Sequence, residues 1–134
     1  MHRRLMFALA VLGLAVASPA APARAQAPRP EVFLVFFHPW SAEMDVAARA
    51  VVAAAAARAA QSPGMRLDVV GFASTTGSRQ ANLYLSLLRA QLVSDTLVAA
   101  GVAPDRISRI AEGSVNHVDS EEESRRVEIV LRAP

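Results

Sequence analysis

Three polar residues on one predicted helix carry the chemistry that this sequence most clearly suggests. Asn82, Ser86 and Arg89 are spaced by four and three positions, so they share one helical stripe and slope back toward the start of the helix. Arginine presents a planar fork that holds a carboxylate at two points, although an ordinary ion pair with Asp95 or Glu112 is the alternative for Arg89. The spacing therefore predicts a site for an anionic group near the beginning of the helix.

The loop before this helix, residues 73–78 with the sequence ASTTGS, supplies the other side of the predicted site. It leads into the helix N-terminus, where unpaired backbone N–H groups favour an anion. The hydroxyl groups of Ser74, Thr75 and Thr76 either contact a ligand or stabilise the loop and cap the helix. Asn82 likewise either binds the ligand or holds the loop.

Other kinds of site find less support in the sequence. His38 and His117, with Asp119 and residues 121–123 nearby, lack the repeated spacing of metal ligands, and the acidic run is typical of a solvated loop. We recognise neither a nucleophile elbow nor a glycine-rich phosphate loop. We therefore expect no metal, no cofactor and no catalytic activity.

A small α/β fold must position these residues. Apolar or alternating runs predict four strands, at residues 32–37, 66–72, 106–111 and 125–131. An alanine-rich helix over 45–61 follows Ser41, with Glu43 and Asp45 near its positive end, and a second helix over 79–100 ends at Gly101 in positive φ. The order of these elements predicts an α/β two-layer sandwich, with both helices on one side of a mixed sheet and the other side partly exposed.

The second helix also has an apolar stripe that we expect to face the core. Its members follow in steps of four and three: Ala81, Leu85, Leu88, Leu92 and then Thr96 or Leu97. Tyr84 and Leu87 widen this stripe as further core residues, with a patch for a partner protein as the alternative. Trp40 is predicted to cap the sheet edge, and stacking on a sugar is the alternative.

The first 25 residues predict a secretory signal peptide. Residues 1–4 carry two arginines, 5–17 are apolar or small, and 18–27 are rich in alanine and proline. Because the apolar run is shorter than the about 20 residues of a spanning helix, we expect cleavage after Ala25 rather than a membrane anchor, with Ala27 as a second cleavage site. Residues 26–31 then form a short lead-in, and residues 32–134 form the domain.

Composition excludes several classes of protein. A chain of 134 residues without cysteine is too short for a multidomain enzyme and excludes both a disulfide scaffold and a lipid-modified N-terminus. All 14 basic residues are arginine, but without the predicted signal peptide 11 of them face 12 acidic residues, a net charge of −1. We therefore expect an exported protein with no nucleic-acid partner and no transmembrane segment after cleavage.

Six segments, taken in order, resemble OmpA-like domains, which bind peptidoglycan. The loop GFASTTGS at 71–78 is similar to that family's loop of glycine, histidine, threonine, aspartate, two small residues, glycine and serine. The matching segments before the second helix are 35–37 with 41–44, and 71–78. Within that helix the matching positions are Asn82, Leu85-Ser86, Arg89-Ala90 and Val93. The last matches are the turn at 101–102 with 106–107 and the strand at 124–129, where serine replaces the usual asparagine. The resemblance covers residues 36–129 and implies the family's fold.

The same resemblance implies a non-catalytic module of the periplasm, associated with the outer membrane, that binds the peptidoglycan stem peptide. In the family, a loop aspartate and a helix arginine grip the ammonium and the carboxylate of diaminopimelate. The arginine corresponds to Arg89, but the aspartate corresponds to the uncharged Ser74, and Phe72 replaces histidine. Leu87 and Leu88 stand where charged residues are common. These departures imply an alternative: a diverged domain that has lost its ligand site and binds another protein of the cell envelope.

Overall fold

Within the described residues, four strands and two long helices follow one another in the predicted order. The computed structural model describes residues 13–20, 29–74, 76–114 and 124–134. The elements are β1 (Glu31–Phe36), α1 (Val46–Gln61), β2 (Arg66–Ala73), α2 (Arg79–Ala99), a 3₁₀ turn (Pro104–Arg106), β3 (Ile107–Ser114) and β4 (Arg126–Arg132). Within the described ranges, no helix is both long and apolar enough to span a bilayer. The signal peptide over 1–25 lies largely outside these ranges and stays a prediction.

The sheet is mixed, as expected, and has the strand order β1-β4-β2-β3. Strands β2 and β3 are parallel and are connected through α2, while β4 pairs antiparallel with both β1 and β2. β1 begins one residue earlier than predicted, and β3 continues to Ser114. The antiparallel register opposes Gly71 of β2 to Val127 of β4. The end of β2 and the start of β4 therefore meet at one edge of the sheet.

One face of the sheet packs on the helices and the other faces outward. Inward-facing positions of β1, β2 and β4 are fully buried: Val35, Leu67, Val69, Val127, Ile129 and Leu131. The alanine-rich α1 packs Val52, Ala55 and Ala59 against them. On the outward face of β1, Val32, Leu34 and Phe36 are 50%, 42% and 38% exposed. The predicted two-layer sandwich with a partly exposed sheet face is confirmed.

The start of α1 lies later than the position of Ser41 suggested. The helix begins at Val46, and the Oδ1 of Asp45 accepts a hydrogen bond from the Ala48 N–H at 2.8 Å. Ser41 instead stabilises the connection between β1 and α1, where its Oγ accepts a hydrogen bond from the Glu43 N–H at 3.0 Å. Glu43 therefore lies outside the helix, and the acidic residue at its positive end is Asp45.

The buried face of α2 is rotated about the helix axis from the one predicted, although Leu92 of the predicted stripe still packs against the core. Its polar stripe is enclosed, because Asn82, Ser86 and Arg89 are each 0% exposed. In the apolar stripe only Leu97 is fully buried, whereas Leu88, Leu87 and Tyr84 are 38%, 47% and 62% exposed. The expectation that the latter three belong to the core was wrong.

The reason lies in how closely α2 approaches the sheet. A Cβ atom on Gly71 would lie 2.1 Å from the Ser86 carbonyl oxygen and 3.2 Å from the Ala90 Cβ. Leucine on this side of the helix would prevent that approach, whereas serine and alanine permit it. Ser86 also bridges to β3, because its Oγ accepts from the Gly113 N–H at 3.0 Å and donates to the Leu83 carbonyl at 2.8 Å.

We predict that Gly71→Ala destabilises the protein by about 2–3 kcal/mol, because the added methyl group overlaps the backbone of α2. The free energy of unfolding from urea titrations measures the effect. Gly64→Ala is the matched control, since a Cβ atom there meets nothing within 4 Å. Equal stability of the two variants would contradict the close helix–sheet contact.

Candidate functional site

Arg89 is the largest side chain that the fold encloses completely. Its Nε donates to the Ser41 carbonyl oxygen at 2.8 Å, its Nη2 to that of His38 at 3.1 Å, and its Nη1 to that of Phe72 at 3.2 Å. The guanidinium carbon lies 5.2 Å from the centre of the Phe37 ring. A buried charge is tolerated only when polar groups compensate it, and backbone carbonyl oxygens do so here. Arg89 therefore ties α2 to the end of β2 and to the turn after β1.

That turn has an unusual backbone. Arg89 binds the carbonyl oxygens on both sides of the Pro39-Trp40 pair, and Trp40 adopts a φ of 53°. A bulky residue in this region is strained and persists only where its surroundings hold it. The Trp40 ring lies over Gly77, where a Cβ atom would be 2.6 Å from the indole, and Gly77 has a φ of 86°. The glycine thus permits contact between the β1–α1 turn and the β2–α2 loop.

Hydrogen bonds within the β2–α2 loop fix its shape. The hydroxyl oxygens of Ser74 and Thr76 lie 2.8 Å apart, and the Thr76 N–H donates to the Ser74 Oγ at 3.2 Å. The Nδ2 of Asn82 donates to the Thr76 carbonyl at 2.7 Å, so Asn82 holds the loop. Ser78 caps α2, because its Oγ accepts from the Ala81 N–H at 3.0 Å.

A cavity of about 290 Å³ lies between this loop and the β1–α1 turn, close to the smallest pockets that hold small ligands. Three apolar, three neutral polar and two cationic residues line it: Pro39, Trp40 and Leu85; Ser74, Thr76 and Asn82; Arg89 and Arg125. In the part of the chain that the structure describes, neither arginine forms a salt bridge. The described lining of the cavity is therefore positively charged.

The two guanidinium groups influence each other. Burial and, to a smaller extent, the positive charge of Arg125 lower the pKa of Arg89 to about 10. Arg89 nevertheless stays protonated near neutral pH. The Nε of Arg125 donates to the Phe37 carbonyl at 3.3 Å, which keeps its charge at the same edge of the sheet.

The structure brings four of the five predicted ligand residues around one cavity. Arg89, Ser74, Thr76 and Asn82 all line it, while Thr75 lies outside the described residues. Neither alternative ion-pair partner of Arg89 binds it: Asp95 accepts from Gln91, and Glu112 forms no salt bridge among the described residues.

Four cavity residues were not among the predicted ligand residues: Pro39, Trp40, Leu85 and Arg125. Arg125 belongs to the site because β4 runs antiparallel to β2, which sets its first residues beside Ser74. Trp40 lines the cavity and contacts Gly77, rather than capping the sheet edge. Only the adjacent Pro39 indicated a turn at Trp40, and nothing local indicated Arg125.

Metal binding finds no support among the described residues, where no group of three or more potential ligands occurs. His38 is exposed, and its Nε2 lies 3.3 Å from the Asp45 carboxylate. His117, Asp119 and residues 121–123 lie outside the described ranges.

The chain belongs to the OmpA family, whose model matches residues 36–129. The resemblance found in the sequence is therefore confirmed over the same residues. The peptidoglycan-binding protein ArfA of Mycobacterium tuberculosis, and likewise that of Mycobacterium bovis, is 43% identical over 75 residues. The match covers 52% of this chain but only 23% of ArfA, so the chain spans about a quarter of that relative.

Two solved structures illustrate the same fold. The peptidoglycan-associated lipoprotein from Burkholderia pseudomallei has a TM-score of 0.67 and 22% identity, and the match covers 74% of this chain and 89% of that one. The C-terminal domain of Helicobacter pylori MotB has a TM-score of 0.67 and 24% identity, with coverage of 78% and 85%. At these identities the likeness establishes the fold alone.

We predict that Arg89→Lys lowers the free energy of unfolding by about 2–4 kcal/mol, because lysine keeps the charge but loses the fork that binds three carbonyl groups. Urea titration measures this loss. Acrylamide quenching of Trp40, the chain's single tryptophan, should increase as the turn loosens. Arg49→Lys is the control, since Arg49 is exposed and binds one carbonyl, that of Met44. Identical stability and quenching in both variants would contradict the role of Arg89 in the turn.

Proposed function

We propose that this protein is a non-catalytic module that binds the peptidoglycan stem peptide non-covalently. The observation that carries the proposal is a cavity between the β2–α2 loop and the β1–α1 turn, lined by Arg89 and Arg125, neither of which pairs with a carboxylate of the described residues. Two like charges beside one cavity favour an anionic ligand group. A carboxylate of diaminopimelate in the stem peptide meets that requirement.

The remaining lining suits a peptide. Ser74 and Thr76 offer hydroxyl groups, Asn82 offers an amide, and Trp40 offers an apolar surface that is 59% exposed. The 43% identity to a relative named as a peptidoglycan-binding protein supports the same ligand. The described lining residues supply no nucleophile with an adjacent base, and we propose binding without catalysis.

The proposed ligand also suggests where the protein acts. Peptidoglycan lies outside the cytoplasm, and residues 1–25 have the pattern of a secretory signal peptide. We therefore propose export to the periplasm, where the module contacts the wall beneath the outer membrane.

Sedimentation with insoluble cell wall tests the proposal. We expect the purified protein to sediment with the wall, and a soluble stem peptide that contains diaminopimelate to release it. Arg89→Lys should weaken retention about tenfold, equivalent to about 1.4 kcal/mol, because the turn that borders the cavity loosens. Arg49→Lys is the control, and folded fractions are matched by circular dichroism. A protein that stays in the supernatant, or an Arg89→Lys variant retained like the control, would refute the proposal.

A second candidate function is contact with another envelope protein, with the ligand site lost. The observation behind it is an exposed apolar patch on α2 formed by Leu83, Tyr84, Leu87 and Leu88, beside a cavity of about 640 Å³. The wall assay separates the two functions. If the wall is the ligand, the double variant Tyr84→Ser/Leu87→Ser is retained on the wall as well as the unmodified protein is. Under the second function, the unmodified protein itself stays in the supernatant.

A further inference from the structure

The cavity has an unbalanced charge. It is lined by two guanidinium groups, whereas the position of the family's loop aspartate holds the neutral Ser74. The Ser74 hydroxyl is engaged with Thr76 at 2.8 Å. Among the described residues, every carboxylate in a salt bridge pairs with a residue other than Arg89 and Arg125. A ligand that brings a free ammonium group would thus add a third positive charge, and no carboxylate among the described lining residues would receive it.

The two arginines are not equivalent. Arg89 is 0% exposed and uses three of its five N–H groups on backbone carbonyl oxygens. Arg125 is only partly buried, and its hydrogen bond within the described residues, to the Phe37 carbonyl, uses Nε. Among these residues, both terminal nitrogens of Arg125 therefore remain to bind a carboxylate at two points. Arg89 acts beneath it as a positioning residue that holds the turn and contributes charge.

Asn82 adds a requirement of a different kind. Its Oδ1 is buried and accepts no hydrogen bond from the described residues. The side-chain orientation is defined, because Nδ2 donates to the Thr76 carbonyl at 2.7 Å. A buried acceptor without a donor is unfavourable, and a ligand N–H group would satisfy it. An amide N–H does so without adding charge.

We propose that the cavity selects an N-acylated amino-acid carboxylate, with the carboxylate on Arg125 and the amide N–H on the Oδ1 of Asn82. This inference rests on the proposed function and specifies its ligand. In peptidoglycan, the side-chain amine of diaminopimelate becomes an amide when two stem peptides are cross-linked, while the adjacent carboxylate stays free. The site would therefore prefer cross-linked wall over stem peptides that end in a free ammonium group.

Isothermal titration calorimetry with two synthetic stem tetrapeptides tests this preference. Both contain meso-diaminopimelate, and they differ only in whether its side-chain amine is free or acetylated. We expect the acetylated peptide to bind about fivefold more tightly, which is the size of one solvent-screened charge interaction. Acetyl-trialanine, which has an amide next to a carboxylate but no diamino acid, should bind more weakly than either. Equal binding of acetyl-trialanine would assign the site to protein C-termini and overturn the assignment to the wall.

Variants test the individual contacts. Arg125→Gln should weaken binding of the acetylated peptide about tenfold through loss of the carboxylate contact. Arg132→Gln is the matched control, because it removes the same charge at the far end of β4, where Arg132 pairs with Asp68 at 2.7 Å. Ser74→Asp should reverse the order of affinity, so that the free-amine tetrapeptide binds more tightly than the acetylated one. The reason is that the new carboxylate binds the ammonium group of the ligand and repels its carboxylate. This variant tests the inference even if Arg125→Gln fails to fold.

Several results would overturn the inference. One such result is that the unmodified protein binds the free-amine peptide more tightly than the acetylated peptide. If Trp40→Leu then abolished this tighter binding, the ammonium group would be assigned to the indole face. Equal binding by Arg125→Gln and Arg132→Gln would exclude Arg125 as the contact. Retention on insoluble wall with equal affinity for the two tetrapeptides would refute the amide preference while leaving the proposed function intact, whereas failure to bind the wall and either tetrapeptide refutes the proposed function itself.

Discussion

The arrangement of this domain depends on one buried charge. Arg89 lies inside the protein, where an uncompensated guanidinium would be strongly destabilising, and three backbone carbonyl oxygens compensate it. Two of these oxygens, from His38 and Ser41, belong to the turn after β1, and the third, from Phe72, belongs to β2. The same interaction therefore stabilises the charge and determines where the turn lies relative to α2.

The close contact between α2 and β2 makes that interaction geometrically possible. Gly71 allows the backbone of α2 to lie almost against the strand, and Ser86 and Ala90 are small enough to follow. An arginine one turn further along the helix then reaches the end of β2 from within the fold. The polar stripe of α2 is buried for this reason, while the larger leucines are left at the margin or in solvent.

Strain and charge accumulate around the same cavity. Trp40 has a left-handed backbone conformation, Arg89 and Arg125 repel each other, and the Oδ1 of Asn82 is left without a donor. Each feature is unfavourable in isolation, and the rest of the fold must stabilise all three. All three features lie around one cavity, at one edge of the sheet.

The amino-acid sequence by itself determined the order of the elements, the fold class and the family, because those depend on local patterns and on motifs in a fixed order. The end of α2 is an example: Gly101 has a φ of 101° as expected, and the Val102 N–H bonds back to the Leu97 carbonyl. Four members of the candidate site were also identified, since their spacing reflects helix geometry and the family's loop.

Tertiary structure alone decided which stripe of α2 is buried, that the charge of Arg89 is enclosed, and that Arg125 joins the cavity. The first two follow from the distance between helix and sheet at Gly71, which hydrophobic periodicity does not encode. The third follows from the antiparallel register of β4 on β2, a pairing between residues more than fifty positions apart in the chain. Such long-range distances and registers depend on the packed whole, so no local pattern predicts them.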